Sequence, residues 1–269
     1  MNLHLIYPEF FLTGLAFLVL TLDFFLPEDR KFLLSWVSSL GMALVIVFAL
    51  LLYQQGDLYQ GLLIIDGYAG FFRIFFLAIG IVITLMSRDF VESNIGNPGE
   101  YYAILIFTVL ASISLVSSGE LLTAYVSLEI LSFGLYVLVA YDRYNPGSNE
   151  AGVKFILLGA FSSALILYGL SQTYGLIGTT RLDEIAVLLS SVEDISVGML
   201  LGLVLIIAGI AFKLAAVPFH MWAPDVYEGA PIPITAWLSV CSKIAIVAFA
   251  IKFFTTGIFP VVSDWQPIL

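Results

Sequence analysis

Eight long apolar runs constrain this chain more than any other feature: Leu3 to Leu26, Phe32 to Tyr53, Tyr68 to Met86, Tyr101 to Val116, Leu121 to Ala140, Val153 to Leu176, Val197 to Val217 and Ile232 to Phe254. Most are near the ~20 residues that cross about 30 Å of hydrocarbon as a helix. A soluble fold could not hide them, because 61% of the residues are hydrophobic and only 11% are charged, against about 25% charged in soluble domains. In a bilayer the backbone must satisfy its own polar groups, in helices or in a closed barrel. Barrel strands alternate polar and apolar residues over about ten positions, and these runs do not. The expectation is an all-α integral membrane protein of about eight transmembrane helices.

The connections read as short and punctuated: Leu26-Pro27-Glu28-Asp29-Arg30-Lys31, the tight hairpin Ser117-Ser118-Gly119-Glu120, and Tyr141-Asp142-Arg143-Tyr144-Asn145-Pro146-Gly147 after the fifth run. They predict one transmembrane domain over 1–269. No basic region precedes Leu3, so the first run is expected to stay as a helix rather than to act as a cleaved signal. If the N-terminus is outside, the inner connections hold Arg30, Lys31, Arg88 and Arg143, and the outer ones hold Arg181, with Lys252 near an outer helix end; this bias sets the expected orientation. The formal charge of −10 argues against nucleic acid as a partner. The single cysteine, Cys241, reads as a packed core residue, and an internal disulfide is impossible.

The informative residues are the ionisable ones inside the runs, since each costs roughly 2.5–3.5 kcal/mol at the bilayer centre on insertion scales. Glu129 falls near the middle of the fifth run and Lys243 near the middle of the eighth. Lys213 is displaced toward the inner end of the seventh run, but apolar sequence resumes through Phe219-His220-Met221-Trp222, so over Gly198 to Glu228 it is central. Pro218 cannot donate to the carbonyl of Leu214, which predicts a break between about Leu214 and Phe219. Irregular backbone at membrane depth marks ion sites in transporters. Lys154, four residues after Glu150, could snorkel to the interface or belong to a buried path. His220 could be a packing histidine or a polar member of such a path. Arg73 reads as a structural or interfacial charge, and Asp23 as a helix-end residue. With only His4 and His220 and no acidic cluster of ligand spacing, no metal site is expected. One cysteine cannot hold an iron–sulfur cluster, and no Gly-x-Gly-x-x-Gly turn follows a strand, so no cofactor is expected on this chain.

The stretch Gly209 to Pro231, through Lys213, Pro218, His220 and Asp225-Val226-Tyr227-Glu228-Gly229, closely resembles the antiporter-like family of membrane subunits in proton-pumping NADH-quinone oxidoreductase (respiratory complex I), in particular subunit N, called subunit 2 in chloroplast and mitochondrial relatives. Ser242-Lys243-Ile244-Ala245, Asn149-Glu150-Ala151 with Lys154, and Gly159-Ala160-Phe161-Ser162-Ser163 fit as well. The resemblance implies three N-terminal helices over 1–99, a five-helix unit over 100–254 and, from 255–269 onward, the start of a second, inverted unit with its own mid-membrane lysine. It implies proton transfer through Glu129, Lys213 and Lys243, with Lys154 and His220 as secondary members. It further implies partner membrane subunits, a peripheral arm carrying NADH, FMN, iron–sulfur clusters and quinone, and a bacterial inner membrane or a thylakoid membrane as the location. Two other readings stay open: a subunit of a multi-subunit cation/proton antiporter, and a scaffold subunit whose buried charges are inert.

Overall fold

Apolar sequence of this length satisfies its backbone internally, and the computed structural model, which describes residues 3–191 and 195–268, is accordingly almost wholly helical. A 3-10 turn, Leu3–Ile6, leads into α1 (Tyr7–Phe25), followed by α2 (Leu33–Leu51), α3 (Gly67–Met86), the short α4 (Arg88–Asn94), α5 (Pro98–Ser117) and α6 (Leu121–Val139). Then come α7 (Pro146–Ile177), the short α8 (Leu182–Ser190), α9 (Val197–Leu214) and α10 (Trp222–Gly229). The last span runs from α11 (Ile232–Trp237) through a π-helical turn at Leu238–Ser242 into α12 (Lys243–Lys252) and a second π-helical turn, Phe253–Gly257; a short α13 (Val262–Trp265) follows. Eight helical segments among the described residues are long and apolar enough to cross a membrane, in the places the sequence predicts.

Two boundaries differ from that reading. α7 begins at Pro146 rather than Val153, because the Asn145 side chain accepts from the Gly147 amide at 2.9 Å and a proline at the first helical position needs no amide partner; hydropathy does not register a polar first turn. α9 ends at Leu214 rather than Val217, for reasons that shape the site below. A third feature was not anticipated. Between α2 and α3 the chain forms a small antiparallel hairpin, β1 (Gly56–Leu58) and β2 (Leu63–Ile65), paired Gly56 to Ile65 and Leu58 to Leu63.

That hairpin organises one end of the bundle. The Gly119 amide donates to the Leu62 carbonyl at 2.9 Å, the Leu121 amide to Thr180 at 2.9 Å, and the Leu182 amide to Gly119 at 3.1 Å. A Cβ on Gly119 would lie 2.1 Å from the Gly61 carbonyl oxygen, so only glycine permits this approach. Glu120, 5% exposed, caps α6 through the Thr123 amide at 2.9 Å and also accepts from the hydroxyls of Thr123 and Thr180. The loops at the opposite end meet through Asp23, which packs against Gly99 and pairs with Lys31 at 3.6 Å, and through the Tyr141 hydroxyl, which donates to the Asn97 carbonyl at 3.3 Å.

α5 occupies the centre, buried over most of its length against α1, α3, α6 and α12. It is apolar on every face, as a surrounded helix must be. α7 and α9 meet through small residues: Gly169 lies against the Gly202 carbonyl, Gly209 against Ile166, and the Ser162 hydroxyl donates to the Gly209 carbonyl at 3.0 Å. Close backbone approach of this kind is how helices pack without a hydrophobic drive between them. Phe10, Phe17, Leu40, Phe71, Leu157 and Phe161 project outward and exposed, as lipid-facing residues do.

Candidate functional site: a buried lysine chain at a helix break

Four helices place the charges and the groups around them. α6 carries Glu129, and Ser132 and Tyr136 follow at spacings of three and seven, which puts all three on one face. α7 presents Ser163 to that face, α9 ends with Lys213 beside it, and α12 begins with Lys243.

Lys213 is 7% exposed. Its ammonium donates to Ser132 Oγ at 2.8 Å, Ser163 Oγ at 3.1 Å and the Tyr136 hydroxyl at 3.2 Å. An ammonium has three N–H donors, so the three hydroxyls use them all. The Glu129 carboxylate stands at 4.0 Å, inside ion-pair range but beyond hydrogen-bond reach, and its Oε1 is buried without a hydrogen-bond partner. The pair is coupled by charge rather than locked by a hydrogen bond.

The break after Lys213 supplies the next link. Ala215 takes a left-handed conformation (φ +55), and the chain runs irregularly through the cis Val217–Pro218 bond until Trp222. Three carbonyls at the end of α9 accept from donors that a continuing helix would not supply. The Ala216 amide donates to Ala211 at 2.8 Å, and the Trp222 indole to Phe212 at 2.9 Å. The Lys243 ammonium donates to the carbonyl of Lys213 itself at 3.0 Å, and lies 4.8 Å above the Trp222 ring, a cation–π geometry. The predicted break and the two lysines are therefore one structure, in which the second lysine satisfies the backbone that the first lysine's helix leaves open.

The other candidates sit apart. Lys154 is partly exposed at the end of the bundle that holds Arg143, paired with Glu150 at 2.8 Å and with Asp225 of α10 at 2.6 Å. His220 lies exposed in the irregular segment. Arg73 is buried and bound to Glu9 at 2.6 Å, joining α3 to α1 away from this cluster. Lys252, expected near a helix end, is 9% exposed and donates to the Val116 carbonyl at 3.2 Å. Ser132, Tyr136 and Trp222 were not singled out from sequence. The heptad-like spacing after Glu129 was the available signal for the first two.

Fold and site together define a polytopic membrane protein built around a broken helix and a buried carboxylate–lysine–lysine chain. The chain belongs to the NADH:quinone oxidoreductase/Mrp antiporter transmembrane family, whose pattern matches residues 118–269 and so takes in the whole cluster. It is 39% identical over 264 residues to NADH-quinone oxidoreductase subunit N of Moorella thermoacetica, covering 98% of this chain and 55% of that protein. A further subunit N, from Desulforamulus reducens, is 39% identical over 256 residues, with 95% and 53% covered. A chain of respiratory complex I from Thermus thermophilus with bound aureothin superposes with a TM-score of 0.76 at 28% identity, over 91% of this chain and 52% of that one. A chain of the archaeal membrane-bound sulfane sulfur reductase shares the fold, with a TM-score of 0.79 at 24% identity. The chain spans about half the length of the curated relatives it matches.

Proposed function

We propose that this chain is a proton-translocating membrane subunit of an NADH-quinone oxidoreductase, in which Glu129, Lys213 and Lys243 pass protons between the two sides. The observation that carries this reading is the buried Lys213 ammonium, held by three hydroxyls, with a carboxylate near but not bonded to it and a second lysine on its own carbonyl. Packed ionisable groups at membrane depth are costly, and residues of this kind mark ion pathways and proton relays.

The geometry supports the following mechanism. The Glu129 carboxylate stabilises a charged Lys213 across 4.0 Å. Moving that carboxylate away withdraws the stabilisation and favours release of the proton toward Lys243. Its return favours reloading from the inner side. Moving one charge against 100 mV takes about 2.3 kcal/mol, and each tenfold change in proton affinity is worth about 1.36 kcal/mol. A swing of roughly two orders of magnitude in Lys213 affinity is therefore enough.

The redox chemistry belongs to partner subunits holding NADH, FMN, iron–sulfur clusters and quinone, and the neighbours in the membrane are other subunits of the same complex. Lys154 and His220 serve the path from its periphery, and residues 100–254 form its five-helix unit behind three N-terminal helices in 1–99. The membrane is a bacterial inner membrane with the N-terminus outside. Subunit N relatives at 39% identity favour this reading over the cation/proton antiporter subunits with which the family is shared.

The experiment is substitution in the assembled complex in membrane vesicles. Lys213→Ala, Lys243→Ala and Glu129→Ala should leave assembly unchanged and reduce proton pumping, with quinone reduction falling alongside. Lys213→Arg should fail too, since a guanidinium does not release its proton. Normal pumping by an assembled Lys213→Ala complex would make the lysine structural and return the scaffold reading.

A further inference from the structure

An open cleft of about 690 Å³ runs between α5, α6 and α7 at the end of the bundle that carries Arg143. Its mouth is polar, with Glu100, Tyr141, Arg143 and Asn149, and its walls are apolar, including Val153 and Ile156. The cleft also reaches Tyr136, whose hydroxyl is within 3.2 Å of Lys213 Nζ. Tyr136 is 5% exposed and lies edge-on to Phe155, with ring centroids 4.7 Å apart. The hydroxyl is lodged against Gly159: a Cβ there would stand 2.1 Å from it. Of the three residues whose hydroxyls hold Lys213, Tyr136 alone lines the cleft.

We infer that the Tyr136 hydroxyl is the proton relay between water in this cleft and Lys213, and that Gly159 is the positioning residue that makes room for it. The inference rests on the proton-translocating reading above. In the loading direction a hydronium in the cleft transfers a proton to Tyr136 Oη. Tyr136 gives its own proton to the lone pair of neutral Lys213 Nζ. One O–H bond forms and one breaks at the tyrosine, which ends neutral. The lysine becomes an ammonium and the hydronium becomes water. Ser132 and Ser163 hold the ammonium in place but do not line the cleft.

The test uses the complete complex in vesicles, with assembly followed on native gels and Lys213→Ala as control. Tyr136→Phe keeps the ring and its packing while removing the relay, and should lower pumping about 100-fold or more, the low end of what general acid–base groups contribute. Gly159→Ala should lower it by displacing the hydroxyl. In the Tyr136→Phe background, where a Cβ at Gly159 still meets ring Cζ at 2.6 Å but no hydroxyl, Gly159→Ala should lower pumping far less than in wild type, an outcome that two independent packing defects would not give. Ile156→Cys, on the cleft wall, should react with a charged, membrane-impermeant thiol reagent added on the Arg143 side, and the adduct should slow pumping. Wild-type pumping by Tyr136→Phe alongside an inactive Lys213→Ala overturns the relay and leaves the proton-translocating reading intact. Normal pumping by Lys213→Ala overturns both. If Tyr136→Phe fails to assemble, the cysteine decides: an unreactive Ile156→Cys means that lipid fills the cleft, and the relay is overturned.

Discussion

Two buried carboxylate–cation pairs in this chain are built differently, and the difference separates structure from transport. Glu9 and Arg73 touch at 2.6 Å, and the guanidinium also donates to the Leu5 carbonyl at 3.2 Å. Glu129 and Lys213 stand 4.0 Å apart with the lysine's donors turned to hydroxyls. A charge in direct contact with its counter-ion is held in place; a charge held by neutral hydroxyls is free to leave as a proton. The first pair therefore acts as a clamp between α1 and α3. Removing one member leaves the other buried and uncompensated, so Arg73→Ala should destabilise the protein by about 3–5 kcal/mol, whereas replacing both charges should cost much less. Thermal unfolding of purified wild type, Arg73→Ala, Glu9→Gln and the double variant checks this. A loss below about 1 kcal/mol for Arg73→Ala, the scale of an exposed pair, would show that the clamp is solvated.

Spans, the helix break and the central charges were legible in sequence because each has a local signature: a run of apolar residues, a proline in one, and an ionisable residue in another. Glu129, Lys213 and Lys243 were found this way, and Pro218 located the break. The partners of Lys213 were not, since Ser132, Tyr136 and Ser163 are ordinary residues until α6, α7 and α9 pack. The hairpin β1–β2 was equally hidden. Its strands are only three residues each, and their stability comes from distant partners: Gly119, and Arg181, whose guanidinium donates to the Gln60 carbonyl. Arg181 is in turn held by Asp183 at 2.7 Å. Its hydrogen bonds hold the Asp183 carboxyl below the usual carboxylate range. A carboxyl depressed on folding stabilises above its unfolded pKa of about 3.9 and loses that contribution as pH falls through its lower folded value. The clasp should thus be intact at neutral pH and loosen under strong acid, freeing the hairpin. Asp183→Asn should loosen it at neutral pH. Hydrogen exchange over residues 56–65, corrected for intrinsic rates, should rise in both cases; unchanged protection in Asp183→Asn would show that Gly119 holds the hairpin alone.

For the whole molecule, the packing of the loops fixes which of them share a side, and charge then says which side is which. Loops around Lys31, Asn97 and Tyr141 are joined at one end, the first two where Asp23 packs on Gly99, and α10 returns to that same end through Asp225 and Lys154. The hairpin, the Ser117–Glu120 turn and the Thr180–Asp183 segment are joined at the other. This alternation requires an odd number of crossings between the two groups and agrees with eight spans. Arg30, Lys31, Arg88, Arg143 and Lys154 lie in the first group, and Arg181 in the second. Cytoplasmic connections retain basic residues, so the first group should face the cytoplasm and the N-terminal turn, which packs on the hairpin through Leu5, Leu58 and Ile65, the outside. Single cysteines at Asp29 and Gln54, both exposed, report the two ends. Native Cys241 is fully buried and should stay silent to an impermeant thiol reagent. In intact cells the reagent should modify Gln54→Cys and spare Asp29→Cys, and in inverted vesicles the pattern should reverse. Modification of both from one side would break the bundle as drawn. The opposite assignment, with Asp29→Cys reactive in cells, would keep the bundle and turn the cleft at Arg143, and with it the direction of proton loading, to the outside.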